Sequence, residues 1–412
     1  MPQKDKRIFV VGAGPAGMIA AARAAESGAR VTLIDKNEKT GKKLYITGKG
    51  RCNVTNACEI EDFFDNIAHN PSFCYSVVYT FTPADTVALI EKNGTPLKCE
   101  RGNRVFPVSD KASDIIKALE KNMRGVEVLL KTRFDGVICA ENKVTGIKFN
   151  GKVHPADAVI LAMGGASYVS TGSDGKWREK IESLDISVKE FAPALVPLRS
   201  DAKWVHNLTG LSLKNVKLKA KSGNRYVFED MGEMLFTHFG ISGPLVLTLS
   251  SMLNKNDFNS LSLSVDLKPA LTSEQLDARI LRDFSKSGAK TLKNACGELL
   301  PARLINAVIE NAGIDGEKQV SQISAAERKK LAETLKCLII PVSGFGELNE
   351  AIVTRGGVDT KEIDPSTMES KKISGLYFAG EMIDIDAFTG GFNIQLALST
   401  GFVAGSAAGG FL

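Results

Sequence analysis

The stretch Arg7-Ile8-Phe9-Val10-Val11-Gly12-Ala13-Gly14-Pro15-Ala16-Gly17, continued through Met18–Ser27 to Arg30-Val31-Thr32-Leu33-Ile34-Asp35, decides the fold class. Arg7–Val11 is a short β-branched and aromatic run, the pattern of a buried strand. Met18–Ser27 is Ala-rich and reads as a helix stopped by Gly28. Arg30–Asp35 is a second strand. Strand, helix and strand in so short a span make a βαβ unit with parallel strands and a right-handed crossover. Between first strand and helix lies G-x-G-x-x-G. Gly12 permits the tight turn, Gly14 lets backbone approach a pyrophosphate, and Gly17 lets the helix pack on the sheet. Pro15 and Ala16 complete the turn, and the helix start offers free N–H groups to phosphate. Asp35 closes the second strand, where an acid accepts hydrogen bonds from a ribose. A chance Gly-rich turn would not be flanked by all three features. The fingerprint does not separate FAD from NAD, and no second copy follows.

Working outward, Lys36 to Arg51 carries five Lys and one Arg in a loop that also holds Gly41, Gly48 and Gly50. Three readings are open: a solvated loop, an RNA or phosphate contact, or a clamp in which cations balance a pyrophosphate. The position directly after Asp35 favours the clamp. Cys52 is a candidate redox thiol without a partner nearby in sequence. Further on, Pro83–Asn93 and Lys111–Arg124 look helical. Val126–Lys131, Gly136–Cys139 and Lys143–Phe149 look like strands of a meander, and Ala158–Ala162 is another buried strand.

The texture then changes. Strand-like alternation dominates from about Pro197 to Leu267, and charged helical patterning follows from about Ser273 to Leu338. Glycine returns beyond Pro341, and Leu376–Ala379 is again a buried strand. The expected organisation is a nucleotide-binding domain in two segments, 1–194 and 341–412, interrupted by an inserted domain at 195–340. In the last segment, Gly380 and Glu381 end a strand, and Gly390-Gly391-Phe392-Asn393-Ile394 opens an apolar helix over Leu396–Ala404. A helix start aimed at a flavin would stabilise its reduced, anionic form.

Composition bounds the alternatives. The chain has 412 residues, of which 43% are hydrophobic and 24% charged, a balance that excludes disorder as the main state. Lys plus Arg number 52 against 47 Asp plus Glu, a net charge of +5, far from a nucleic-acid tail. Gly is in modest excess at 38 residues, and it clusters at 12–17, 41–50, 164–175 and 380–391. The seven cysteines form no C-x-x-C pair, which argues against zinc sites or a disulfide framework and for a reducing cytoplasm. The start, MPQKDKRIFVVGAG, lacks the features of a secretory signal, and no apolar run suits a membrane-spanning helix.

The blocks GKKLYITGKGRCNVTN, GGASYVSTGSDG, PALVPL, GEMLFTHFGISGP, PVSGFGELNEAIVTRGGV and GLYFAGEMIDIDAFTGGFNIQLALSTG together resemble the HI0933-like family of bacterial FAD-binding oxidoreductases, over nearly the whole chain. The resemblance implies an α/β fold: a Rossmann-like FAD domain of the glutathione-reductase type, with an inserted β-barrel-like and helical substrate domain. It assigns Gly12, Gly14 and Gly17 to the phosphate turn and Asp35 to the adenosine ribose. Lys36, Lys43, Arg51 and Asn53 fall in the family's basic loop, and Phe134 matches an adenine-side backbone contact. Gly380 and Glu381 match the ribityl-facing motif, and Asn393 and Ile394 the flavin-facing helix start. Asp at 35 stands where many relatives carry Glu.

Members resembling this chain reduce C=C bonds of oxo-bile acids with NAD(P)H, saturate a uridine of ribosomal RNA, or oxidise aminoacetone with oxygen. The first two share hydride delivery to an electron-poor alkene, with a proton added at its neighbour. The expectation is therefore an NAD(P)H-dependent ene reductase acting on a steroid-like enone, with rRNA dihydrouridine synthesis and amine oxidation as alternatives. Lys214, Lys217, Lys219, Lys221 and Arg225 on one hairpin read as a solvated strand face or an RNA contact. Phe236, Phe239, Leu245 and Phe388 are candidates for an apolar pocket or for plain core. His238 is the first candidate proton donor, because His titrates near neutrality; a structural histidine is equally compatible. Tyr168, in the Gly-rich 164–175 loop, is the second candidate.

Overall fold

Alternation in the first strand, β1 (Arg7–Val11), buries Ile8, Val10 and Val11. The computed structural model describes residues 6–412, so the charged Met1–Asp5 lie outside the described residues. Gly12 then turns the chain at φ +107° into α1 (Pro15–Ala25), with Pro15 in its first turn. A fixed φ and a missing N–H make proline well suited to that position. The chain returns through β2 (Arg30–Ile34). With β3 (Glu127–Leu129), β4 (Ala158–Leu161) and β5 (Leu376–Phe378) these strands build a five-stranded sheet in the order β5-β4-β1-β2-β3. Every pairing in it is parallel.

One expectation fails here. Residues 127–129 are not part of the meander; they pair with Thr32, Leu33 and Ile34 at the edge of β2. The meander is instead Phe134–Ala140, Lys143–Phe149 and Lys152–Pro155. A three-residue edge strand carries too little pattern to reveal its sheet, and the vacant edge of β2 decides where it pairs.

The last helix, α2 (Phe392–Gly409), is buried along most of its length. It lies against α1 at backbone distance: a Cβ on Gly401 would stand 2.3 Å from the Ala16 carbonyl oxygen. Small residues at the seam let the two helices approach this closely.

The chain divides into two units. One comprises the chain up to Ala194 together with Leu348–Leu412; the other is Leu195–Glu347. The second boundary thus falls at 347 rather than 340. The inserted unit has its own core and a seven-stranded antiparallel sheet. Its order is 338–339, 261–266, 212–222, 225–237, 240–242, 198–199, 344–345. Helices Ser273–Ser285, Ala302–Ala312 and Ala325–Lys336 accompany it. Thr272 and Ser324 each cap a following helix with a reciprocal capping box, which satisfies backbone N–H groups that lack partners inside the helix. No single helix among the described residues is long and apolar enough to cross a membrane.

Candidate dinucleotide site

Two helices of the first unit begin with uncapped N–H groups. In α1 the first intrahelical bond runs from Met18 N–H to the Gly14 carbonyl, 2.9 Å. Among the described residues nothing accepts the N–H groups of Gly14, Ala16 and Gly17. In α2 the first such bond runs from Gln395 to Gly391, 3.1 Å, and the N–H groups of Phe392, Asn393 and Ile394 are likewise without an acceptor. Neither helix has an acidic residue in its first turn. Both positive dipole ends are therefore left for an anionic or carbonyl ligand.

The glycines of the fingerprint divide by cause. A Cβ on Gly17 would stand 1.8 Å from the Gly12 carbonyl oxygen, so internal packing requires glycine there. Gly14 differs. Its φ is an ordinary −79°, and a Cβ would meet nothing within 4 Å. No internal contact calls for glycine at 14; the space beside it is the cradle a pyrophosphate would fill.

Asp35 holds the turn together. One carboxylate oxygen accepts the Ala13 N–H at 2.6 Å and the other the Asn37 N–H at 2.7 Å. Each oxygen keeps a second lone pair for a ribose hydroxyl. Thr132 donates its N–H to the Asp35 carbonyl at 2.8 Å, which brings the chain at buried Phe134 alongside the end of β2.

The start of α2 is fixed from elsewhere. Asn393 accepts the Ala387 N–H at 2.9 Å and donates to the Ala387 carbonyl at 2.6 Å. Gln395, wholly buried, accepts from the hydroxyls of Thr55 and Thr86 at 2.6 and 2.7 Å and donates to the Phe81 carbonyl and Ser399. Every polar atom of its amide has a partner, so this buried network fixes one geometry. Two residues before Thr55, the side-chain oxygen of Asn53 is buried with no partner among the described residues. An orphaned acceptor at this place fits a ligand donor. Gly380, at φ +73°, donates its N–H to Thr400 at 2.9 Å and passes close to Ala16. The arrangement fits an extended dinucleotide: phosphates at α1, ribose at Asp35, flavin toward α2 and Asn53.

The cations of the expected clamp are paired within the protein. Lys36 pairs with Asp174 at 2.9 Å. Arg51 makes a bidentate pair with Glu100, at 2.7 and 3.2 Å, and stacks over Phe106. Lys43 donates to Glu381 at 2.7 Å and to Ser167 at 2.8 Å, while Glu381 also accepts the Thr354 N–H at 2.9 Å. All three cations are matched by protein carboxylates. Cys52 is not a redox thiol: it is fully buried, and burial pushes its pKa up to about 12. A thiol so shifted stays protonated and unreactive.

Tyr168 sits in the left-handed region at φ +56°, and partial burial raises its phenol above the ordinary value. His238 is exposed in the turn between strands 225–237 and 240–242, against the edge of Phe239. Phe236 and Leu245 are core residues of the inserted unit. On its hairpin, Lys217 and Lys219 share Glu229 at 2.9 and 3.6 Å, and Arg225 pairs with Asp257.

One constellation escapes sequence reasoning. The Nδ1 of His69 lies 2.7 Å from a carboxylate oxygen of Asp386, which is 1% exposed. Arg355 Nη1 lies 3.4 Å from the Nε2 of the same ring. Strand Ile67–His69 pairs with Asp386–Ala387, directly beside the segment that Asn393 clamps. Nothing in the spacing of residues 69, 355 and 386 announces this cluster.

The family model for the HI0933-like protein Rossmann domain matches residues 6–407. The chain is 32% identical over 410 residues to the 3-dehydro-bile acid delta(4,6)-reductase of Clostridium scindens, covering 98% of each chain. It is 31% identical over 396 residues to the ribosomal RNA dihydrouridine synthase of Escherichia coli, covering 95% of each. Among solved structures it resembles the Escherichia coli quinol fumarate reductase flavoprotein chain at TM-score 0.52 and 16% identity, covering 98% of this chain and 70% of that one. A 3-ketosteroid delta1-dehydrogenase from Sterolibacterium denitrificans matches at TM-score 0.50 and 15% identity, with both chains fully covered. At these identities the two structures speak for the fold alone. The parallel sheet, the two open helix starts and the match along almost the entire sequence agree: the chain belongs to the HI0933-like family of FAD-binding oxidoreductases.

Proposed function

We propose that this flavoprotein reduces an activated C=C bond of a small carbonyl compound, with NAD(P)H as transient reductant and a 3-oxo bile acid or similar steroid enone as the substrate class. The observation that carries the choice of a small molecule is the charge pairing on the 212–237 hairpin. RNA recognition calls for an open basic face, and here three of the five hairpin cations, Lys217, Lys219 and Arg225, are held by Glu229 and Asp257, with Lys214 and Lys221 exposed. The bile-acid reductase relative supports the same reading.

In this reading α1 would hold the phosphates, Asp35 the ribose, and the first turn of α2 the flavin. Positive potential there favours the reduced, anionic ring. When bound and reduced, FAD supplies the hydride. The chain presents one dinucleotide fingerprint, which suits an NAD(P)H that binds, reduces and leaves.

The test is anaerobic stopped-flow on reduced holoprotein. A 3-oxo-Δ4 bile acid should reoxidise it without oxygen, whereas a ribosomal RNA fragment should not. Fast reoxidation by the RNA alone would overturn the reading in favour of dihydrouridine synthesis. Bleaching of oxidised flavin by aminoacetone, restored by oxygen with peroxide release, would overturn it in favour of an amine oxidase.

A further inference from the structure

The cluster at His69 has a defined proton inventory. An arginine guanidinium only donates, so the Arg355 contact makes Nε2 of His69 an acceptor. The ring proton is then on Nδ1, which donates to Asp386. Among the described residues the second carboxylate oxygen of Asp386 is buried without a partner. A buried carboxylate with one hydrogen bond is costly, and an imidazolium at His69 would neutralise it. Arg355 opposes that state, because its N–H points at the nitrogen the second proton would occupy. At 3.4 Å the Arg355 contact is long for a hydrogen bond.

We propose that His69 is the proton donor of alkene reduction, oriented by Asp386 and enabled when Arg355 transfers its N–H from His69 to the substrate's carbonyl oxygen. The proposal rests on the ene-reduction reading above. Asp386 is a positioning residue. Binding of a carbonyl draws Arg355 away, Nε2 takes a proton from solvent, and the imidazolium pairs with Asp386. Bound, reduced FAD would supply the hydride for the β-carbon, and Arg355 would stabilise the charge that the alkene electron pair leaves on the carbonyl oxygen. The α-carbon takes the Nε2 proton, leaving neutral His69 and a saturated ketone. One hydride and one proton account for the two hydrogens added.

The other charged groups nearby are consistent with this cycle. Asp384 lies two residues from Asp386, and burial raises its pKa although its carboxylate accepts from the Gly356 N–H and the Asn70 amide. Cys74, on helix Pro71–Thr80, is held protonated by burial and by Asp386. Lys189 is paired with Asp359.

The chain has four histidines, so 15N-histidine spectra of the FAD-loaded protein, compared with His69→Gln, identify the His69 ring. In the ligand-free protein its Nδ1 should carry the proton and Nε2 none. Adding the saturated 3-oxo bile acid should protonate both nitrogens at neutral pH. An Nε2–H tautomer at rest overturns the proposal. In stopped-flow, His69→Gln should bind FAD and photoreduce normally yet reoxidise with the 3-oxo-Δ4 bile acid about 100-fold more slowly; an unchanged rate overturns it. Asp386→Asn should shift the fall of rate with rising pH toward acid. Should wild type fail to reduce the alkene at all, the ene-reduction reading falls, while the histidine spectra still decide the Arg355–His69–Asp386 geometry.

Discussion

At the start of α1 the open N–H groups are made by consecutive residues, Gly12 to Gly17. At the start of α2 the same opening is assembled from Thr55, Thr86, Phe81 and Ala387, and the Thr55–Gln395 bond alone spans 340 positions. Local sequence builds the proposed phosphate end; the tertiary fold builds the proposed flavin end. The first should respond to steric changes in the turn, and the second to loss of distant hydrogen bonds.

The largest effect falls on the local end. Gly17→Val places a side chain on the Gly12 carbonyl. Overpacking of a close backbone contact costs about 3 kcal/mol or more, so circular dichroism and flavin absorbance should show no folded holoprotein. At the assembled end, Gln395→Leu strands the buried hydroxyls of Thr55 and Thr86, costing about 2–4 kcal/mol by urea denaturation. Equal stability to wild type would break the comparison.

Alkali should loosen the assembled end too. Cys52 and Cys74, beside Asn53 and Asp386, have thiols raised by burial from the ordinary 9 to about 12. A pKa raised in the folded state gives stability that is complete below pH 9 and lost as pH climbs toward 12. Thermal unfolding across that window should show the decline, and iodoacetamide should label exposed Cys99 and Cys337 well before Cys52 and Cys74. The smallest effect is expected for Arg51→Ala. Because Glu100 and Asp110 already engage this guanidinium, FAD affinity by fluorescence titration should change less than threefold, within about 0.7 kcal/mol.

The same contrast explains what could be read in the sequence. β1, the α1 turn and β2 are legible because strand pattern, glycine spacing and Asp35 lie in one uninterrupted stretch. The flavin end is legible only as glycines. Its helix begins at Phe392 rather than Leu396, because Gly391 in the left-handed region stops the preceding turn there. The ion-pair partners of the loop cations, Glu100, Asp174 and Glu381, are not legible because they lie far along the chain. His69 was invisible for the same reason: Asp386 lies 317 residues away. Charge and hydrogen-bond partners across folds of this length are set by topology, which local pattern does not encode.

The central claim is that the space beside Gly14 and the open start of α1 hold the phosphates of FAD. Titration of apoprotein with FAD, wild type against Gly14→Val, tests it most directly. The account predicts one FAD per chain in wild type, and about a 100-fold weaker affinity in the variant, near 2.7 kcal/mol, with unchanged thermal stability of the apoprotein. Equal FAD affinity in the two proteins would contradict it.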